Sequence, residues 1–294
     1  MYNIQGYYDP ETVDEAVALL ADNPSLKIIA GGTDVLIKMH GGQLEKAELL
    51  SIRKLKELED IKKLEDGTII IGPLATFSQI YNDPVIKKNI PVLGEAAISM
   101  GGPQIRNIAT IGGNICNGAT SADSASTLFA LNAKLKLRTS QGERVIPIQE
   151  FYLGPGKVDL KPGEVLTEII ITPENYQGFG GHYIKFAMRN AMDIATLGVA
   201  VLCKITESKL IEDVRIGLGV AAPTPIRCQE AESFARGKAI SEEIIAVIGK
   251  LAVKSTKART SWRASKEYRE HLVEELTQRA LKAAVRNAGG GEVA

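Results

Sequence analysis

Residues 109–126 read ATIGGNICNGATSADSAS, and the reading of that stretch decides the fold. It holds Gly112, Gly113 and Gly118, two asparagines, and one charged residue, Asp123, in a chain that is otherwise 24% charged. So many small, neutral residues imply that something comes close to this backbone, where a Cβ would stand in the way. Thr110, Asn114, Asn117, Thr120 and Ser121 keep hydrogen-bonding groups in place, and Asp123 can accept from a ribose hydroxyl or an adenine-side group. That is chemistry for dinucleotide recognition without a GxGxxG motif, so a Rossmann fold is not implied. A tight bulge in a core sheet would use the same residues, and spacing alone leaves both readings open.

A second glycine segment lies upstream, KIIAGGTDVLIKM from Lys27 to Met39. KIIA has the pattern of a short buried strand, Gly31-Gly32 makes a turn, and Thr33 or Asp34 can cap a helix that starts with VLIKM. A strand, a glycine turn and a helix start leave backbone N–H groups pointing at one spot, which suits an anion. Taken alone, the same arrangement is more often a simple connection.

Around these segments the chain has ordinary element signals. TVDE at Thr12 to Glu15 has capping-box spacing, Val13, Ala16, Val17 and Leu20 supply an apolar helix face, and Asn23-Pro24 ends it. RKLKELEDIKKLEDG reads as a solvated linker or hairpin, TIII as a strand, and TFSQ at Thr76 to Gln79 as another capping box. PVLGEAAISM reads as a helix stopped by Gly101-Gly102-Pro103, QIRNIATIGGNICN as extended, and SADSASTLFALNA as a helix capped at Ser121 or Asp123. AKLKLRTS and ERVIPI flank a turn at Gln141-Gly142, and EVLTEIIITP is a further strand. From about Gly178 the order becomes three strands, HYIKFAM, IATLGVAVLCKIT and LIEDVRIGLGVAA, and then three helices ending at Gly289-Gly290. The tail GGGEVA is expected to fray. No internal repeat is present.

Composition bounds the function. The 294 residues carry 35 basic and 35 acidic side chains, which argues against a dedicated nucleic-acid or anionic-membrane surface. The longest apolar run, Ile194 to Cys203, is about half a bilayer span. The opening MYNIQGYYDP lacks the basic and apolar regions of a signal peptide, so a cytoplasmic protein is expected. Cys116, Cys203 and Cys228 are widely spaced with no CxxC pair, so neither a disulfide framework nor a protein-held zinc or iron–sulfur site is expected. His40, His182 and His271 are scattered and form no catalytic set. Redox chemistry would have to come from a bound cofactor.

AGGTDVL followed some eighty residues later by RNIATIGGNICNGATSADS resembles the FAD-binding subunit of the molybdenum hydroxylases, over essentially the whole chain. GGPQIRNIATIGG (Gly101 to Gly113), GVAAPTPIR (Gly219 to Arg227) and SWRASKEYR (Ser261 to Arg269) are most similar to the stand-alone bacterial xanthine dehydrogenase type. The resemblance implies an α+β fold: two α+β subdomains of the PCMH-type FAD-binding fold, then a C-terminal domain like that of carbon monoxide dehydrogenase flavoproteins, an antiparallel sheet followed by helices. Pattern breaks put the boundaries at 1–55, 56–177 and 178–294.

The resemblance also implies one non-covalent FAD. Lys27, Ile28, Ile29, Ala30, Gly31, Gly32, Thr33 and Asp34 would form a first loop around its pyrophosphate and ribityl chain. Ala109, Thr110, Ile111, Gly112 and Gly113 would form the second, with Asn114 and Thr120 in the same loop and Asp123 near the adenosine. Val165 would line the adenine side, and Lys185 would approach the cofactor. No residue is expected to act as a general acid or base or to hold a metal. Cys116 is expected to be packing only, because the cysteine-rich insertion of some relatives is missing. The implied partners are a [2Fe–2S] subunit and a molybdopterin-binding subunit, assembled as a dimer of heterotrimers, with NAD⁺ as electron acceptor. Met100 and Ala187 to Thr196 (AMRNAMDIAT) are candidates for shaping the NAD side. A nicotinate- or carbon monoxide-oxidising complex and a self-contained FAD oxidase are the alternatives.

Overall fold

The structure is a computed structural model that describes residues 3–291. Glu292, Val293 and Ala294 of the tail expected to fray lie outside the described residues.

The chain begins with a small parallel sheet. Strands β1 (Ile4–Tyr8), β2 (Lys27–Ile29) and β3 (Ala47–Ser51) lie in the order β1-β3-β2. Lys27, Ile28 and Ile29 stand opposite Leu49, Leu50 and Ser51. Helices α1 (Val13–Asp22) and α2 (Val35–His40) make the crossovers. The four apolar residues expected on the inner face of α1 are all buried. Its Thr12 Oγ1 accepts from Glu15 N at 3.1 Å, but the Glu15 carboxylate accepts from Glu11 N, one residue before the cap, so the box is displaced.

The middle unit holds the antiparallel sheet β4-β5-β10-β6-β7, made of β4 (Ile61–Lys63), β5 (Ile69–Ile71), β6 (Lys134–Thr139), β7 (Gly142–Pro147) and β10 (Val165–Ile171). The charge run is thus a hairpin edge. Helices α3 (Phe77–Asn82), α4 (Pro84–Asn89), α5 (Pro91–Ser99), α6 (Pro103–Arg106), α7 (Ile111–Cys116), α8 (Asp123–Ala130) and α9 (Ile148–Phe151) belong to this unit, with the small ribbon β8 (Tyr152–Gly154) and β9 (Lys157–Val158). At α3 the capping box is complete: Thr76 Oγ1 accepts from Gln79 N, and Gln79 Oε1 accepts from Thr76 N at 2.7 Å.

Two expectations fail here. QIRNIATIGGNICN is not extended; it forms α6 and α7, with only a single bridge between Thr76 and Thr110. Ile111 and Ile115, both fully buried, are one helical turn apart, and Thr110 Oγ1 caps the turn by accepting from Gly113 N at 3.1 Å. The start of α8 uses neither Ser121 nor Asp123 as a cap: Ala122 occupies the N-cap position and the Asp123 carboxylate turns to other partners.

The last unit is the antiparallel sheet β11-β12-β13-β14, from β11 (Gly180–Phe186), β12 (Leu197–Ile205), β13 (Ile211–Gly219) and β14 (Ile226–Arg227), followed by α10 (Gln229–Ala235), α11 (Glu242–Lys254) and α12 (Lys266–Asn287). One face packs Val199, Val201 and Cys203 among Leu272, Val273, Leu276 and Ala280. The other brings Tyr183, Ala200 and Leu202 into the core of the middle unit. Cover on both faces is why LGVAVLC reads as a continuous apolar run rather than an alternating one.

Glycines set the spacing at that seam. A Cβ at Gly217 would lie 2.1 Å from Ser126 O on α8, far inside contact distance. Arg227, the end of GVAAPTPIR, closes the same seam. Its Nη1 donates to Phe129 O at 3.1 Å and Asn132 Oδ1 at 2.6 Å, and its other edge pairs with Glu232. Gly217→Ala is expected to destabilise the protein by about 1–3 kcal/mol, since a rigid carbonyl cannot yield to an inserted methyl. Thermal melts check this, and an unchanged midpoint would show that α8 can move away from β13.

Candidate functional site

The two glycine segments meet backbone to backbone. A Cβ at Gly31 would fall 2.1 Å from Ile108 O, and one at Gly112 would fall 2.4 Å from Pro73 Cβ and 2.7 Å from Pro73 O. Much of what comes close to the small-sided stretch is therefore other backbone. At Gly112 this corrects the expected reason for the glycine: the space a side chain would fill belongs to Pro73, not to a pyrophosphate.

Beside this junction lies a cavity of about 690 Å³. Lys27, Ile28, Ala30, Gly31, Gly32, Thr33 and Asp34 border it from the first loop, and Ala109, Thr110, Gly112, Gly113 and Asn114 from the second; Val165 closes another wall. Ile29 is half-buried in β2 outside this lining, and Ile111 is wholly buried in the core beneath it. Thr120, Asp123 and Lys185 also lie outside the lining. Sequence reasoning missed Pro73, Lys38, Ile105 and the Lys161-Pro162-Gly163 turn, which border the same space. The Pro-Gly turn just before the strand at Val165 was the available signal.

The two loops differ in what they offer. In the second, Ile111, Gly112 and Gly113 N–H already donate to Ala75 O at 3.0 Å, Pro73 O at 2.8 Å and Thr110 Oγ1 at 3.1 Å. In the first, the N–H groups of Gly31, Gly32, Thr33 and Asp34 have no acceptor among the described residues. Gly32 has φ +76°, the left-handed turn that lets successive N–H groups converge into an anion-binding concavity. Asp34 precedes α2 without a side-chain cap bond.

Asp123 is 7% exposed and accepts from Lys185 Nζ at 2.8 Å and Tyr183 OH at 3.2 Å. Lys185 Nζ also reaches Ser99 O at 3.2 Å. Both carboxylate oxygens are thus engaged by β11, and the pair ties α8, β11 and the end of α5 together. Burial pushes the Asp123 carboxyl upward, and the Lys185 ammonium pulls it partly back. The two segments named for the acceptor side are neighbours: Met192 N donates to Gly101 O at 3.3 Å, and Met100 borders the cavity. Cys116 also borders it, half-buried, and its burial pushes the thiol up to about 12.

Two measurements follow. Asp123→Asn and Lys185→Met should each cost about 3–5 kcal/mol in urea unfolding, with the double variant costing less than their sum, because either change leaves a lone buried partner. Loss of bound flavin from Lys185→Met at unchanged stability would instead put the ammonium on the cofactor. Cys116, Cys203 and Cys228 all have thiols pushed up to about 12, so none should react with a disulfide reagent near pH 8 until denaturant is added. Rapid reaction of one thiol in the folded protein would overturn this.

The chain matches two family models, "FAD binding domain in molybdopterin dehydrogenase" over residues 2–174 and "CO dehydrogenase flavoprotein C-terminal domain" over residues 182–284. It is 43% identical to the xanthine dehydrogenase FAD-binding subunit of Escherichia coli O157:H7 over 290 residues, 99% of each chain. It is 32% identical to the carbon monoxide dehydrogenase medium chain of Hydrogenophaga pseudoflava over 279 residues, covering 95% of this chain and 96% of the relative. Among solved structures, a carbon monoxide dehydrogenase chain from the same organism superposes with a TM-score of 0.92 at 29% identity, covering 98% and 99% of the two chains. The α+β architecture is that of these flavoproteins, and the N–H cradle of Gly31 to Asp34 is the feature that fits a diphosphate. The chain belongs to the FAD-binding subunits of the molybdenum hydroxylase family.

Proposed function

We propose that this chain is the electron-transfer flavoprotein subunit of a xanthine dehydrogenase-type complex. In this reading substrate is oxidised on a separate molybdopterin-binding subunit, electrons arrive through a [2Fe–2S] subunit, and they leave as hydride to NAD⁺. The complex is a dimer of heterotrimers in the cytoplasm. The observation that carries the reading is the cradle of four unsatisfied N–H groups in the cavity wall, in a chain alike end to end to a xanthine dehydrogenase FAD-binding subunit. FAD, when bound, supplies both the one-electron and the hydride chemistry.

The chain's own residues bind and orient. Gly31 to Asp34 offer N–H donors to the pyrophosphate, Lys27 and Lys38 add positive charge to the wall, and Ala109, Thr110, Gly112, Gly113 and Asn114 bring a small-sided surface against the cofactor. Val165 gives an apolar wall. Asp123 and Lys185 hold α8 to β11 behind the site. Met100 and the 187–196 loop shape the side from which the acceptor approaches. The same reading divides the chain into 1–55, 56–177 and 178–294, supported by three separate buried clusters with main members in those ranges. A complex acting on carbon monoxide or another N-heterocycle is the second reading, favoured by the likeness to a carbon monoxide dehydrogenase medium chain.

The isolated, FAD-loaded chain should be bleached by NADH without oxygen and pass the electrons to a dye, yet stay oxidised with xanthine or hypoxanthine. Adding the two partner subunits should restore purine-driven NAD⁺ reduction. Anaerobic stopped-flow absorbance with each reductant checks this. Direct bleaching by a purine would favour a self-contained oxidase, and no bleaching by NADH even in the full complex would point to another acceptor.

A further inference from the structure

The motif SWRASKEYR is not used by the cavity. It spans the connection between α11 and α12, and it carries Trp262, the one tryptophan of the chain, 76% exposed. The Arg263 guanidinium lies over one face of that indole, 4.2 Å from the ring centroid, a cation–π stack. Arg269, on the first turns of α12, is only 3% exposed. Its Nη1 donates to Thr196 O and its Nη2 to Ser261 Oγ at 2.9 Å, while its Nε is buried without an acceptor. Arg263 Nε is buried without an acceptor too.

The charges of Arg259 and Arg263 act on Arg269, and none of the three forms an ion pair among the described residues. Asp193 pairs with Arg189 and Glu270 with Lys266, and the Glu267 carboxyl is held down by hydrogen bonds at the start of α12 and by the Lys266 charge. Arg263 and Arg269 meet at Ser261, whose Oγ accepts from Arg263 N at 3.3 Å and Arg269 Nη2 at 2.9 Å; with the Arg259 charge also acting on buried Arg269, an anion supplied from outside would relieve the repulsion. The place is also significant. Thr196, which takes Arg269, ends the 187–196 loop, whose Met192 bonds to Gly101 beside the cavity-lining Met100. One loop therefore joins the cavity edge to the arginine cluster.

Resting on the proposed role of NAD⁺, we infer that Arg259 and Arg263 bind the phosphates of the dinucleotide electron acceptor, while the open face of Trp262 stacks on its adenine. Planar guanidinium groups pair with phosphate oxygens in fork geometry, and an aromatic face stacks on any base. A dinucleotide needs both in one place. Self-association through this patch is disfavoured, because a two-fold contact would set the arginines of one copy against those of the other.

The single tryptophan makes the test direct. The full-length FAD-loaded chain is titrated with ADP-ribose, which has the adenine and phosphates but no nicotinamide, and Trp262 emission is followed. Saturable quenching that weakens with salt is expected in the parent chain, and about tenfold weaker binding in Arg259→Gln and Arg263→Gln. NADH bleaching should show the same split, with KM raised about tenfold in those variants and in Trp262→Leu, and kcat little changed. Emission unmoved by ADP-ribose overturns the inference. So does an unchanged KM in variants whose parent is bleached by NADH, or emission that responds only to the partner subunits, which would make the patch a protein-docking surface. ADP-ribose quenching without any NADH bleaching would leave this site standing while the NAD⁺ reading itself fails.

Discussion

The structure turns on a contact between two pieces of backbone. Gly31, just after β2, presses on the Ile108 carbonyl, and Gly112 on Pro73, so that the first sheet, the turn before α3 and the start of α7 converge where neither glycine holds them apart with a side chain. Peptide groups that approach so closely must have their hydrogen bonds accounted for. Ile111, Gly112 and Gly113 satisfy theirs within the protein, whereas Gly31 to Asp34 keep theirs open toward the cavity. The same junction thus has a half whose donors are satisfied and a half whose donors are open. Its glycines serve close packing at Gly31 and Gly112 and backbone conformation at Gly32.

The rest of the fold keeps that junction rigid. The last sheet is covered by α11 and α12 on one face and by α5 and α8 on the other, so α8 is clamped between two layers. Polar joints orient the clamp: Lys185 with Asp123 near the start of α8, and Arg227 with Phe129 O, Asn132 and Glu232 at its end. Each is buried or nearly so, where a missing partner costs far more than the pair contributes. Their value lies in fixing the angle of α8, and with it the 109–126 stretch.

The division of labour follows from the inventory of groups. Donors for an anion, small surfaces for a flat ring system and apolar walls border the cavity, while the three thiols are held protonated by burial. Such a wall positions a cofactor and leaves bond-making to it. The 187–196 loop, with Met192 in the left-handed region at φ +55°, connects this wall to the surface of the last domain.

Local signals in the sequence determined the elements whose stability is local. The α3 capping box, the inner face of α1, the β6–β7 hairpin and the strand-then-helix order of the last domain were all legible, since each depends on neighbours a few residues away. The two glycine loops were legible as a place of close approach. What they approach was not. Pro73 under Gly112, Ile108 against Gly31, and the turn of Asp123 away from capping to meet Lys185 depend on residues 39 and 77 positions apart in the case of the glycines, and on β11 in the case of the carboxylate. β1 and β3 were likewise missed, because a parallel ladder takes its hydrogen bonds from distant segments and leaves little local pattern. The α7 helix was hidden by its glycines, which lower helix propensity; burial of Ile111 and Ile115 in the assembled core outweighs that cost. Sequence alone specified which groups are available, and tertiary packing decided which of them remain open to a ligand, because a backbone N–H is free or satisfied only once its distant partner is in place.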